Sequence, residues 1–213
     1  MRWLLVMVLL IPALLAGAAG AGPPLLIDDF ESGLGPAWQE KIFKGRTDYR
    51  IIADGSGHAL QADSRGTASG LVKKLDLDPR DYPVLAWRWK VSGTIAQGDE
   101  RTRAGDDYAA RVYVIFPHWF FPKTRTLNYI WANHLPRGGF LPNAYTGNAV
   151  MIAIESGPEQ AGQWLTERRN IIADYRKAFG EEPPKIGAVA VMTDTDDTGG
   201  AAMAWYDDLR MER

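Results

Sequence analysis

From residue 25 onward the apolar positions fall mostly in short alternating runs, separated by clusters of Gly, Pro, Asp and Ser. A period of two marks a half-buried strand, because successive side chains on extended backbone point to opposite faces. Val84–Val91 is the clearest run: Leu85, Trp87, Trp89 and Val91 share one face, while Ala86, Arg88 and Lys90 share the other. The same pattern predicts strands over residues 25–31, 49–53, 58–62, 69–75, 106–116, 127–132, 148–154, 185–193 and 201–210. Asp54-Gly55-Ser56-Gly57 has the glycine content of a hairpin turn between the second and third of these. A helical period occurs once, where Trp164, Ile171, Tyr175 and Phe179 fall on one stripe and predict a helix over 162–179, stopped by Gly180 with Pro183 and Pro184 beyond. Arg168 falls on that same stripe. About ten strands with a single late α-helix predict a mainly β fold, an antiparallel β-sandwich of jelly-roll type.

The N-terminus follows another pattern. Met1 and Arg2 precede an apolar run from Trp3 to Leu15, then the small residues 16–21, then Gly22-Pro23-Pro24. One positive charge, a short apolar segment and overlapping Ala-x-Ala sites predict a Sec-type signal peptide over residues 1–21, cleaved after Ala18 or Ala21. An uncleaved anchor is the alternative, since the apolar and small residues together approach the ~20 that span a bilayer. Pro12 and the small-residue tail favour cleavage, which leaves residues 22–213 as one domain, periplasmic or secreted and without membrane attachment. The chain has no cysteine, which excludes disulfides, thiolate metal sites, a cysteine nucleophile and lipid attachment through an N-terminal Cys. Its formal net charge of −2 offers no polyanion-binding bulk, so nucleic acid is not an expected partner. Eight Trp and eight Tyr supply more aromatic surface than a core of this size commonly needs.

The chemistry concentrates in carboxylates. Asp194, Asp196 and Thr198, followed by Gly199, stand at the first, third, fifth and sixth positions of a calcium loop. The twelfth position, where that loop needs a bidentate Glu, is Trp205. A Ca²⁺ held here must therefore draw ligands from Asp207, Asp208, Asp29 or Glu31; the other reading is a solvated turn built on Asx hydrogen bonds. Asp207 shares phase with Trp205, so burial of Trp205 would bury Asp207. Asp106 and Asp107, just ahead of Arg111, form either a general acid–base pair for glycoside cleavage or an ion-pair cluster. Arg168 on an apolar stripe needs a carboxylate, which would dock the helix onto the acidic turn through Arg168 or Arg169, unless its stem simply covers Trp164. His58, His118 and His134 show no metal spacing, and His-Glu-x-x-His, Gly-x-Ser-x-Gly and phosphate-loop motifs are absent.

Several motifs together resemble a known family. They are Ala68-Ser69-Gly70-Leu71, Trp87-Arg88-Trp89, Gly105 to Tyr113, Tyr129-Ile130-Trp131, Glu167 to Asn170, Asp174-Tyr175, Phe179 to Pro184 and Asp194 to Thr198. In these the chain is similar to the secreted bacterial family called domain of unknown function 3047. That resemblance implies a single exported domain and brings no activity or catalytic residue with it. Asp28-Asp29-Phe30-Glu31 with Trp38, and Trp205 to Leu209, also resemble the first and last strands of galactose-binding-like jelly rolls, which implies a structural Ca²⁺ between the termini. The expectation is a non-enzymatic exported protein that binds a polar small molecule or glycan through Arg88, Arg111, Tyr113, Trp131 and Arg168. The alternatives are a cell-envelope polysaccharide hydrolase or lyase using Asp106 and Asp107, and a structural or partner-binding periplasmic protein.

Overall fold

The computed structural model describes residues 22–55 and 57–213; the signal segment predicted at 1–21 lies outside the described residues. Two sheets carry the fold. The first contains β1 (Leu25–Asp28), β3 (Asp48–Asp54), β4 (Gly57–Arg65), β6 (Val84–Val91), β11 (Leu165–Asn170) and β13 (Ala201–Glu212), in the order β11-β6-β13-β4-β3, with β1 pairing the far end of β13. The second contains β2 (Trp38–Lys44), β5 (Ala68–Leu77), β7 (Tyr108–Phe116), β8 (Arg125–Ala132), β9 (Phe140–Pro142), β10 (Ala149–Ser156) and β12 (Ile186–Asp194), in the order β2-β5-β12-β7-β8-β10-β9. The architecture is the expected β-sandwich, and every predicted strand is present. One pairing departs from the antiparallel expectation: β10 runs parallel to β8, because the long excursion through β9 returns the chain to the level where β8 began.

The alternating residues meet between the sheets. Leu85, Trp87, Trp89 and Val91 of β6 face Val112, Val114, Leu127, Tyr129, Trp131 and Val191 in one buried cluster. Trp87 stacks on Tyr129 with centroids 5.3 Å apart, and Trp89 lies 5.7 Å from Trp131. Truncating any of these rings to Ala would cost about 3–5 kcal/mol through lost transfer energy and an unfilled cavity.

The helix is shorter than the stripe predicts. Residues 165–170 are strand β11, laid antiparallel on β6 from Leu165↔Trp89 to Asn170↔Val84. Their burial follows a period of two, with Leu165, Glu167 and Arg169 turned inward. Helix α1 (Ile171–Phe179) begins only at Asn170, whose side chain accepts from the Ala173 N–H at 2.9 Å, and it ends at the left-handed Gly180, φ 73°. Ile171 and Tyr175 do pack into the core, the latter 4.6 Å from Phe116.

Strand β13 also departs from simple alternation. Ala202, Ala204 and Tyr206 face the core, yet so do Leu209 and Met211. Between them the register to β6 slips by one residue, from Asp207↔Arg88 to Arg210↔Ala86. Asp208 takes a left-handed φ of 50° at this bulge, which lets the strand change phase and keep its apolar side inward. Trp205 lies on the outer face with Lys90 Nζ 4.5 Å from its ring, and Asp207, which shares its phase, faces the same way.

Candidate functional site

The outward residues of β7 and β12 lie side by side. Register pairs Met192 with Arg111 and Ala190 with Tyr113, and a bulge before Asp194 brings that carboxylate opposite Tyr108. Arg111 is 4 % exposed and Asp194 2 %, and the two form a bidentate fork: Nε donates to Oδ1 at 2.8 Å and Nη2 donates to Oδ2. Nη2 also donates to the Asp106 carbonyl, Nη1 reaches the Tyr113 hydroxyl at 3.4 Å, and the guanidinium sits 4.0 Å from the Tyr108 ring centre. Burial opposes the charge on Arg111, but Asp194 and its neighbours hold it protonated. Burial likewise pushes the Asp194 carboxyl up, with Asp107 and Asp106 adding to the push against the pull of Arg111. Tyr113 is raised to about 12, first by burial.

Above this floor opens a cleft of about 470 Å³ on the outer side of the second sheet. Asp106 enters it holding Asn143, whose Nδ2 donates to both carboxylate oxygens at 2.9 Å. Tyr145 closes one side, its hydroxyl donating to Asp197 Oδ1 at 3.0 Å, and Phe43 lines the cleft from β2. Tyr145 is 51 % exposed and Phe43 65 %, so both rings are open to a ligand.

The acidic turn is held from behind. Asp107 is fully buried and accepts from the Thr198 N–H at 2.7 Å, the Thr198 hydroxyl at 2.6 Å and the Asp197 N–H at 3.2 Å. Asp107, Asp194 and Asp196 each bring a carboxylate oxygen within 4.8 Å of the others, so a carboxylate cluster exists here. The Thr198 hydroxyl donates to Asp107 and accepts from the Gly200 N–H at 3.3 Å, so its hydrogen bonds serve the turn. Asp106 and Asp107 face different partners, one in the cleft and one behind the turn, and do not flank a shared site.

The remaining predicted residues lie elsewhere. Asp29, Glu31, Asp207 and Asp208 gather with Asp54, His58 and Arg88 in a second cleft, so the acids expected around one ion divide between two places. Arg88 pairs with Asp207 at 3.1 Å on the outer face of the first sheet. Asp207 is raised to about 6, first by burial, with the charge of Asp208 adding to it against the pull of the Asp208 N–H and of Arg88. Trp131 is fully buried in the core, its Nε1 donating to the Gly157 carbonyl at 3.0 Å, and presents no surface to a ligand. Arg168 is on a strand rather than a helix, with a 60 % exposed side chain paired to Glu212; Arg169 grips Asp174 in the first turn of α1. Neither docks a helix on the acidic turn. Of the five expected ligand residues, Arg111 and Tyr113 come together in the cleft.

A profile of the family described as "Protein of unknown function (DUF3047)" matches residues 36–210. The chain belongs to this family. No curated protein matches the sequence. Among solved structures, the family 11 carbohydrate-binding module of the cellulosomal cellulase Lic26A-Cel5E of Clostridium thermocellum superposes with a TM-score of 0.51 at 13 % identity, over 90 % of this chain and 95 % of that one. The Clostridium thermocellum family 11 module in complex with a β-1,3-1,4-mixed-linked tetrasaccharide gives 0.46 at 12 % identity, over 88 % and 94 %. The CBM22-1 xylan-binding domain of Paenibacillus barcinonensis Xyn10C gives 0.43 at 15 % identity, over 92 % and 97 %. At such identities the first of these establishes the sandwich fold of the DUF3047 chain.

Four site residues of this DUF3047 chain escaped the reading of its sequence. Asn128 and Asn143 lie on the floor and wall of the cleft, and Tyr145 and Phe43 on its rim. Asn128 sits in the outward phase of β8, opposite Tyr113, which period-two alternation alone would have shown. Asn143 and Tyr145 come from an irregular loop, where no periodicity exists to place them. The loop around Asn133 that abuts this region is itself fixed by buried groups. Glu100, 1 % exposed, accepts from the N–H groups of Asn133, His134 and Leu135. Asn133 donates to the Asp107 carbonyl at 2.8 Å, and a Cβ on Gly98 would lie 2.1 Å from that Nδ2, so only glycine fits.

Proposed function

We propose that this DUF3047 chain is an exported, non-enzymatic protein that binds a polar ligand, carbohydrate before others, in the cleft over Arg111 and Tyr113. The observation that carries this reading is the pairing of a buried, hydrogen-bonded polar floor with two exposed rings, Tyr145 and Phe43, at the rim. Aromatic faces stack on the apolar faces of sugars, and fixed polar groups orient hydroxyls at low entropic cost. The likeness of its fold to a carbohydrate-binding module supports the same reading. Acid–base hydrolysis by Asp106 and Asp107 has no comparable support, because Asp107 is consumed in holding the acidic turn.

We assign no resident Ca²⁺ to the carboxylate cluster. The Arg111 fork occupies both oxygens of Asp194, three donors occupy Asp107, and Lys44 stands 3.9 Å from Asp196, so the protein's own donors and cations already meet these charges. The test of the binding reading is a glycan array followed by calorimetry on the purified chain. Binding without product release, weakened about tenfold or more by Tyr145→Ala or Phe43→Ala at unchanged melting temperature, is the expected result. Binding indifferent to both rings would remove the cleft from the function.

A further inference from the structure

The balance of donors and acceptors in the cleft specifies the ligand further, and this step rests on the glycan reading above. Most donors on its floor are already engaged. Arg111 gives its N–H groups to Asp194, to the Asp106 carbonyl and to Tyr113. Asn143 gives its amide to Asp106, and the Tyr145 hydroxyl goes to Asp197. Acceptors remain. Asn128 is 2 % exposed and lines the cleft, and its Oδ1 has no hydrogen-bond partner among the described residues. Its orientation follows from Met151, whose Sδ accepts from Nδ2 at 3.1 Å; turning the amide over would set two acceptors against each other. A buried acceptor without a donor costs about 1–3 kcal/mol, which a donating ligand would relieve.

Charge points the same way. Asp106, Asp194, Asp196 and Asp197 all line the cleft. Against them stand Arg111, forked onto Asp194, Lys44 beside Asp196, and the exposed Arg103, stacked 5.1 Å from the Tyr145 ring with Nε on the Ala144 carbonyl. The carboxylates outnumber the cations. A uronate, sulfate or phosphate would meet repulsion and few uncommitted donors, whereas an ammonium would find both charge and acceptors.

We propose that the cleft selects a glycan bearing free amino groups over neutral and acidic glycans, with the Asn128 carbonyl and the Asp197 carboxylate receiving the ligand's N–H and O–H donors. The experiment is calorimetry on the purified chain with hexamers of glucosamine, N-acetylglucosamine, glucose and galacturonate, and with spermine, in low salt at mildly acidic pH. The glucosamine hexamer is expected to bind about tenfold or more tighter than its N-acetylated twin, the increment of one charge-assisted contact, and to lose that margin as salt is raised. Asp197→Asn should reduce the amine preference. Asn128→Leu, which removes the orphaned acceptor and so retains the fold, should weaken the glucosamine hexamer. Equal affinity for the amino and N-acetyl hexamers, or tighter binding of the galacturonate hexamer, overturns the amine selectivity and leaves the glycan reading standing. Binding of spermine with no hexamer, or binding of no probe at all, overturns the glycan reading and this proposal with it.

Discussion

Glu167 and Glu155 meet at an edge of the sandwich, one on β11 of the first sheet and the other on β10 of the second. Both are buried, at 7 % and 5 % exposure, and line one small cleft with Arg137. The Trp89 indole N–H donates to Glu167 at 3.3 Å, and Arg137 pairs with Glu155 at 3.0 Å. Burial pushes Glu167 up and the charge of Glu155 pushes it further, to about 7 from an ordinary value of 4.5. A proton is therefore held in the folded state over a range where the unfolded chain has released it, so stability falls as pH rises through that range. At about 1.36 kcal/mol per pH unit, the difference amounts to about 3 kcal/mol, present at pH below 4.5 and lost by the time pH exceeds about 7. Glu167→Gln keeps the shape and removes the titration. Urea unfolding of both proteins across pH 4.5 to 8 should show a gap that opens between about pH 4.5 and 7 and then stays level, with the Gln variant the more stable at the alkaline end. The comparison isolates Glu167 from Asp207, which is raised for a similar reason and slopes the same way in both proteins. Parallel pH profiles, or a variant that loses stability at every pH, would refute the held proton.

Asp194→Ala would leave a buried guanidinium without its fork and should cost about 3–5 kcal/mol in denaturant unfolding, while replacing Arg111 and Asp194 together by Met and Leu should recover much of that loss. Arg168→Ala should change stability by less than about 1 kcal/mol, since its partner Glu212 is met by an exposed side chain on an edge strand. Chelator and excess Ca²⁺ should each leave the melting temperature unmoved in a thermal scan; a rise with Ca²⁺ by mass action would show a cation competing with Arg111 for the cluster.

The strands were legible because their signal is local. Each of Trp87, Trp89, Val112, Val114, Leu127 and Tyr129 announces its face through its own neighbours, and the core assembles from those faces. The same rule places Trp131 in the core, since it shares phase with Leu127 and Tyr129, and its ring packs there against Trp89. Residues 162–170 misled for another reason. Trp164 and Arg168 sit seven and three positions ahead of Ile171, which imitates a helical stripe, but the free edge of β6 beside them offered six ladder pairings to an extended chain. Pairing with a distant strand is not written in a local period, and it outweighed the weak preference of this stretch for helix.

The acidic C-terminal stretch shows how far the phase of one strand can redirect a site. Asp207 shares the phase of Trp205, so a buried Trp205 would have turned Asp207 inward with it. The strand takes the opposite phase: Ala202, Ala204 and Tyr206 face inward, so Trp205 and Asp207 face outward with Asp207 opposite Arg88, and the bulge at Asp208 then brings Leu209 inward. The Asp207 carboxylate is consequently answered by a cation on the neighbouring strand. Asp194, at the end of a strand in the other sheet, is answered by Arg111. In each place an arginine from the adjacent strand does what a shared metal ion was expected to do. That substitution leaves the cleft above Arg111 rich in acceptors with most of its donors committed, which is the property that would decide what binds there.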